Sequence, residues 1–185
     1  MQTAQQTNPT FDRFVIDPMH SHVGFSVRHL MITNVRGVFT SVTGTARYNP
    51  SDMSATEITA EIASASVDTR EPQRDAHLRS AEFFDAENHP RITFRSTRAR
   101  TIASGTMEVT GDLSMRGTTR EVTLTVTEIS QEQRDHRGIA RIGASATARI
   151  KRSEFGMLYN RVLEAGHLAV GDEITLTFDV SLMKQ

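Results

Sequence analysis

No cysteine occurs in the 185 residues. That excludes a disulfide framework, a thiolate nucleophile and any Cys-based zinc site. An excess of one charge sign is also missing: 21 Lys and Arg stand against 22 Asp and Glu, for a formal net charge of -1. There is no global field to recruit nucleic acid, so no nucleic-acid partner is expected. No apolar run approaches the ~20 residues of a spanning helix, so stable membrane insertion is not expected either. The opening MQTAQQTNPTFDRF lacks the basic segment, apolar stretch and cleavage pattern of a secretory signal. Taken as a natural start, it gives the expectation of a cytoplasmic protein. G-x-G-x-x-G and P-loop patterns are absent, and neither GFSVR nor GASAT completes a G-x-S-x-G nucleophile elbow.

What is present is period two. In TEITAEIASASV, Ile58, Ala60 and Ile62 alternate with Glu57, Thr59 and Glu61, as in a half-buried antiparallel strand. Met107, Val109, Leu113 and Met115 share a parity, as do Val122, Leu124 and Val126. Ile174, Leu176, Phe178, Val180 and Leu182 do the same near the C-terminus. With segments near 21–32, 35–48, 91–101 and 138–150, about eight strands are predicted, many of them long. Long alternating strands joined by short turns favour a closed sheet. A chain of this size buries roughly 70% of its unfolded surface and needs no staple to fold as one domain. Residues 1–12 read as a flexible polar tail, and 13–185 as the folded domain. The stretch DTREPQRDAHLRSAEFFDAENHP at 68–90 lacks alternation and predicts a short helix after Pro72, lying over one end of the sheet. A second irregular stretch spans 151–172.

Three histidines in HSHVGFSVRHL invite a metal or catalytic reading. On an extended strand His20 and His22 face one side and His29 the other, with His22 and His29 roughly 23 Å apart. They cannot share one ion. A site on His20 and His22 would need a third ligand such as His77, Asp75 or His89. His29 shares its face with Val23, Phe25 and Val27, where an imidazole needs a partner or faces a cavity. The basic stretch RITFRSTRAR carries a single aromatic, Phe94, and its Arg98 and Arg100 either ring an opening or follow a bulge. On the 138–150 strand the apolar face reads Ala140, Ile142, Ala144, Ala146, Ala148 and Ile150. So small a wall either permits close packing or leaves volume, and an eight-stranded barrel is just wide enough to hold one small ligand. A linear hydrocarbon in that space would gain about 0.8 kcal/mol per buried CH₂.

FVIDPMHSHVGFSVRHLMITNVRGVF, VDTREPQRDAHLRSAEFFDAENHPRITF, VTGDLSMRGTTREVTL, RSEFGMLYN and VGDEITLTFDV, in that order, closely resemble YceI-like proteins over about residues 14–183. The resemblance implies an all-β fold, an extended eight-stranded antiparallel lipocalin-like barrel with a short helical insertion, often a homodimer. It also implies non-enzymatic carriage of polyisoprenoid and related long-chain lipids, including isoprenoid quinones, in an internal tunnel. The family's Asp, His-Ser and later His fall on Asp17, His20, Ser21 and His29. Its Arg-Asp-x-His-Leu segment falls on Arg74, Asp75, His77 and Leu78, and further matches fall on Phe83, Phe84, Asp85, Pro90, Ile92 and Phe94. Departures are Phe14, where the family commonly has Trp, and His22, where it has a small or apolar residue.

The expected ligand wall comprises Phe25, Val27 and His29 on the first long strand, and Leu78, Phe83 and Phe84 at the insertion. Phe94, Val109, Leu113, Leu124, Ala144, Ala146 and Phe178 complete it. No cofactor or metal is expected, the lipid itself being the ligand. Two rival readings are a hydrolase or isomerase using His29 with Asp75 or His77, and a stress-associated interaction module with a solid barrel and an exposed pairing edge.

Overall fold

A computed structural model describes residues 11–160 and 169–185. Its strands are β1 (Asp12–Ile16), β2 (His22–His29), β3 (Thr33–Phe39), β4 (Val42–Tyr48), β5 (Glu57–Ala63) and β6 (Val67–Asp68). After the helix α1 (Pro72–Arg79) come β7 (Arg91–Ala103), β8 (Thr106–Met115), β9 (Thr118–Thr127), β10 (Gln133–Arg134), β11 (Ala140–Lys151) and β12 (Val170–Lys184). Neighbouring strands pair antiparallel, and the sheet closes where β11 meets β12. β1 with β2, β3 with β4, and β5 with β6 are bent halves of single staves. The closed barrel therefore has eight strands, as the alternation predicts.

The first stave differs from expectation. It starts at Asp12, inside the segment read as tail, and breaks at Pro18–His20 instead of running straight through the histidines. Residues 1–10 of that expected tail lie outside the described residues. Proline supplies no backbone donor, so the ladder to β12 must be completed by other groups. Asp17 N donates to Ser181 O (2.9 Å), and Ser181 N donates to Ser21 Oγ (3.0 Å). The Asp17 carboxylate accepts from Met19 N (3.0 Å), lies 2.7 Å from His20 Nδ1, and accepts from the Arg141 guanidinium on β11 (2.5 Å). Arg141 also donates to Asp135 (2.9 Å). The histidine-containing motif is thus a mended break in a strand.

A second irregularity decides between the two readings of Arg98 and Arg100 in favour of the bulge. The register of β7 against β8 shifts between Ser96 and Arg98, and this bulge turns Ala99 inward, 7% exposed, while Arg98 and Arg100 face out. Gly111 makes it possible: a Cβ there would lie 2.4 Å from Arg95 O and 2.6 Å from the Phe94 ring.

Helix α1 follows from its local chemistry. Pro72 opens it, and Glu71 caps it by accepting from Gln73 N (3.1 Å) and Arg74 N (2.6 Å). Arg79 ties it to the barrel rim through Ala65 O and Val67 O (both 2.7 Å). The opposite end of the barrel is filled by Phe14, Ala46 and Ile142 packed with Tyr48, Ile58 and Leu182.

The Arg141 guanidinium, then His20, hold the Asp17 carboxyl down at about 2, against an ordinary value of 3.8. A depressed carboxyl pKa adds stability that is complete above the unfolded value and is lost as pH falls through the folded one. Asp17→Asn is therefore expected to lower the thermal midpoint above about pH 4. The gap from wild type should close as pH approaches 2, and thermal melts across that range check it. A gap independent of pH would remove the charge from the account.

Candidate functional site

The barrel encloses an apolar cavity of about 470 Å³, within the range of small-molecule sites. Its solid-core alternative is therefore not what the chain builds. The space arises from register. On β11, Ala144, Ala146 and Ala148 stand directly beside Val180, Phe178 and Leu176 of β12, so one wall is small wherever its neighbour is large. On the other edge of β11, β9 and then β8 bring Leu124 and Leu113 to the same space.

Twelve of the thirteen residues named from sequence border this cavity: Phe25, Val27, His29, Leu78, Phe83, Phe84, Phe94, Leu113, Leu124, Ala144, Ala146 and Phe178. Val109 does not. It shares the inward parity of Leu113 but is 0% exposed, covered by Ala99, Met107 and Val126 packed around it. Parity reads the face of a strand and not whether neighbouring side chains cover it.

One end of the cavity is aromatic and polar. Phe25, Phe39 and Phe84 form a chain of rings with centroids 5.7 and 5.5 Å apart. Phe25 is seated by Gly37, its cross-strand partner, where a Cβ would lie 2.4 Å from the ring. His77 lies edge-on to Phe83 (5.0 Å) and Tyr159 (4.7 Å). His29, Arg74, His77, Arg152 and Tyr159 all border this end, which α1 and residues 152–160 cover.

Arg152 is the residue that sequence reasoning missed. It is 5% exposed and donates to Met157 O (2.5 Å), Tyr159 O (2.9 Å) and Gly171 O (2.9 Å). Burial pulls its pKa below the ordinary guanidinium value, with Asp172 acting in the opposite sense. Arg74 donates to Thr69 Oγ1 (2.7 Å) and Thr69 O (2.9 Å). Neither guanidinium forms a salt bridge with a carboxylate among the described residues. Arg116, in the β8–β9 turn, clamps the cover by donating to Ala81 O (2.7 Å) and to Gly156 O. The motifs MRGTT and RSEFGMLYN hold these arginines, but their carbonyl partners cannot be read from spacing.

Among the described residues, Asp75, His77, His89 and His20 each have partners other than one another. Asp75 is buried and accepts from Thr69 N (2.8 Å) and Thr69 Oγ1 (2.5 Å). His77 Nε2 lies 2.5 Å from Glu82 Oε2, and His89 lies 3.7 Å from Asp85. His20 is held by Asp17, and His22 is exposed beside Gly24. Among the described residues no three His, Asp or Glu side chains are grouped to hold an ion.

Comparison with known proteins agrees with this geometry. A UPF0312 protein of Vibrio cholerae is 32% identical over 146 residues, 78% of this chain and 77% of that protein. The crystal structure of Burkholderia cenocepacia BcnA superposes with a TM-score of 0.79 at 22% identity, covering 90% of this chain and 98% of BcnA. A polyisoprenoid binding domain from Saccharophagus degradans, implicated in plant cell wall breakdown, superposes with a TM-score of 0.66 at 13% identity, covering 95% and 100%. The YceI-like domain matches residues 14–182, and the chain belongs to the YceI-like family.

Proposed function

We propose that this chain binds a long-chain isoprenoid lipid, a polyprenyl chain or an isoprenoid quinone, lengthwise inside the barrel, and acts as a carrier and not as an enzyme. The observation that supports this reading is the polarity of the cavity. An apolar interior of about 470 Å³ is packed shut at the Phe14 end, while its histidines, arginines and tyrosine gather at the insertion end. An isoprenoid tail matches the first part and a polar terminus the second. The tail lies along Ala144, Ala146 and Phe178, and the terminus meets His29, Arg74 and His77. Family membership and the fold shared with a polyisoprenoid binding domain support the same ligand class.

Native mass spectrometry of the purified protein, before and after incubation with a polyprenol or a ubiquinone, tests this reading. One lipid per chain, released on denaturation, is the expected result. Protein that neither carries nor takes up either lipid would sink it.

Filling the alanine wall tests the placement of the tail. Ala146→Phe is expected to leave the fold intact, because the added ring enters existing space. Displacing two or three carbons at about 0.8 kcal/mol each weakens binding by roughly 2 kcal/mol, or about 30-fold. Titration with polyprenols of graded length should show that loss for the longest chains and little for short ones. An equal loss at every length would place the tail elsewhere.

A further inference from the structure

The β2–β3 hairpin ends at the cavity mouth in a turn made of the wrong residues for a turn. Ile32 N donates to His29 O (3.1 Å), and the two residues between them, Leu30 and Met31, have φ of 51° and 59°. Paired left-handed residues in a hairpin turn favour Asn-Gly; Leu and Met carry a steric cost there. Their side chains are only partly covered and none belongs to a core cluster: Leu30 is 36% exposed, Met31 54% and Ile32 75%. Three consecutive large apolar side chains are thus held in water on a strained backbone.

Their position gives the reason. His29 borders the cavity, pairs with Val170 and immediately precedes the turn, while Leu30 N donates to Ala169 O (2.8 Å). A second apolar side chain, Leu158 at 71% exposed, lies on the loop whose neighbours Met157 and Tyr159 border the same end of the cavity. That loop is fixed to the same strand end, because Arg152 bonds Met157 O, Tyr159 O and Gly171 O. By contrast, Met19 and Ile102 are exposed singly, away from the mouth.

The outer face of the hairpin is cationic. Arg28 donates to Met31 O (3.0 Å), which braces the turn, and Arg36 stands on the same face of the neighbouring strand. Neither forms a salt bridge with a carboxylate among the described residues. Apolar side chains at a tip with arginines behind them match an anionic bilayer surface, apolar atoms below the headgroups and guanidinium groups level with the phosphates. A protein partner fits less well, since a stable interface needs roughly 800 Å² per side and a three-residue tip cannot supply it.

We infer that Leu30, Met31 and Ile32, with Leu158 beside them, form a membrane-docking tip that dips into an anionic lipid surface and sets the cavity mouth against it for cargo transfer. The transfer part rests on the lipid-binding reading above; the docking part does not.

The test uses the whole chain carrying Leu30→Asn, Met31→Gly and Ile32→Thr together. This gives the turn the residues its backbone favours, so the thermal midpoint is expected to hold or rise, which excludes misfolding as the cause of any loss. Wild type should float with vesicles of phosphatidylcholine containing one-third phosphatidylglycerol, and less so with pure phosphatidylcholine or at high salt. The variant should lose flotation, and its uptake of polyprenol from those vesicles should slow by at least about tenfold. Uptake of polyprenol delivered in ethanol should be equal in both. Equal vesicle uptake by the two proteins would overturn the inference. So would a wild type that loads from ethanol yet neither floats nor loads from vesicles, a result that would place a protein donor at the tip. If wild type fails to load from ethanol, the cargo reading fails by itself, and flotation still decides whether the tip docks.

Discussion

The barrel is built around β12, which on one edge forms a long seam with β11, residues 141–151 against 173–183 in unbroken antiparallel register. On its other edge β12, the last strand, joins the first stave, pairing with β1 and β2. The seam also determines what the barrel encloses. Its register sets Ala144, Ala146 and Ala148 beside Val180, Phe178 and Leu176. A slip of one residue would turn the entire inner set of β12 outward. An eight-stranded barrel with large residues on every stave fills itself. Here one stave of small residues leaves the interior partly empty without interrupting the ladder that closes the ring.

The other edge of β12 shows how the cavity is confined to part of the barrel. β12 pairs with β2 through residues 170–179 and with β1 through residues 182–184. Between those two partners the first stave is broken. Asp17 and Ser21 bridge the gap to Ser181, and Arg141 reaches Asp17 from the seam strand. The break lets the two halves of the stave serve different ends of the molecule. β1 brings Phe14 into the packed end, and β2 carries Phe25, Val27 and His29 along the cavity. The Asp17 and His20 pair thus acts at a distance from the cavity, by bridging the bend in the strand.

Much of this was legible from alternation, because burial on one face of a strand leaves a period-two trace that requires no knowledge of partners. β8, β9 and β12 could be placed this way, and so could the inward faces of Phe25, Leu124 and Ala146. Val109 marks the limit of that signal, since its parity is correct but its covering by Ala99 and Val126, on β7 and β9, is not encoded in its own strand. β1 was missed for a related reason: it is five residues long and the break at Pro18 resets the alternation before a pattern can develop. The arginines that secure the cover were missed because guanidinium groups bonded to backbone carbonyls have partners of no particular residue type. Arg116 and Arg152 could be found only after residues 81, 156, 157, 159 and 171 had been brought together.

Those carbonyl partners have an electrostatic consequence at the mouth. A carboxylate would neutralise a buried guanidinium, whereas a carbonyl satisfies its donors and leaves its charge. Arg152 bonds carbonyls, with the Asp172 charge acting on it from nearby, and Arg74 bonds the hydroxyl and carbonyl of Thr69, both at the edge of an interior with little other polarity. The insertion end is therefore the one that can receive a polar group, while the alanine wall and the rings of Phe25, Phe39 and Phe84 favour hydrocarbon. A molecule with both properties has one favourable orientation in the barrel, polar end toward α1, and the reversed orientation would bury that end against Phe14 and Ile142 without a partner. An unfilled interior also forgoes dispersion contacts along its lining, which an occupant restores. Because such an occupant binds the folded chain and not the unfolded one, filling the cavity and stabilising the barrel are the same event.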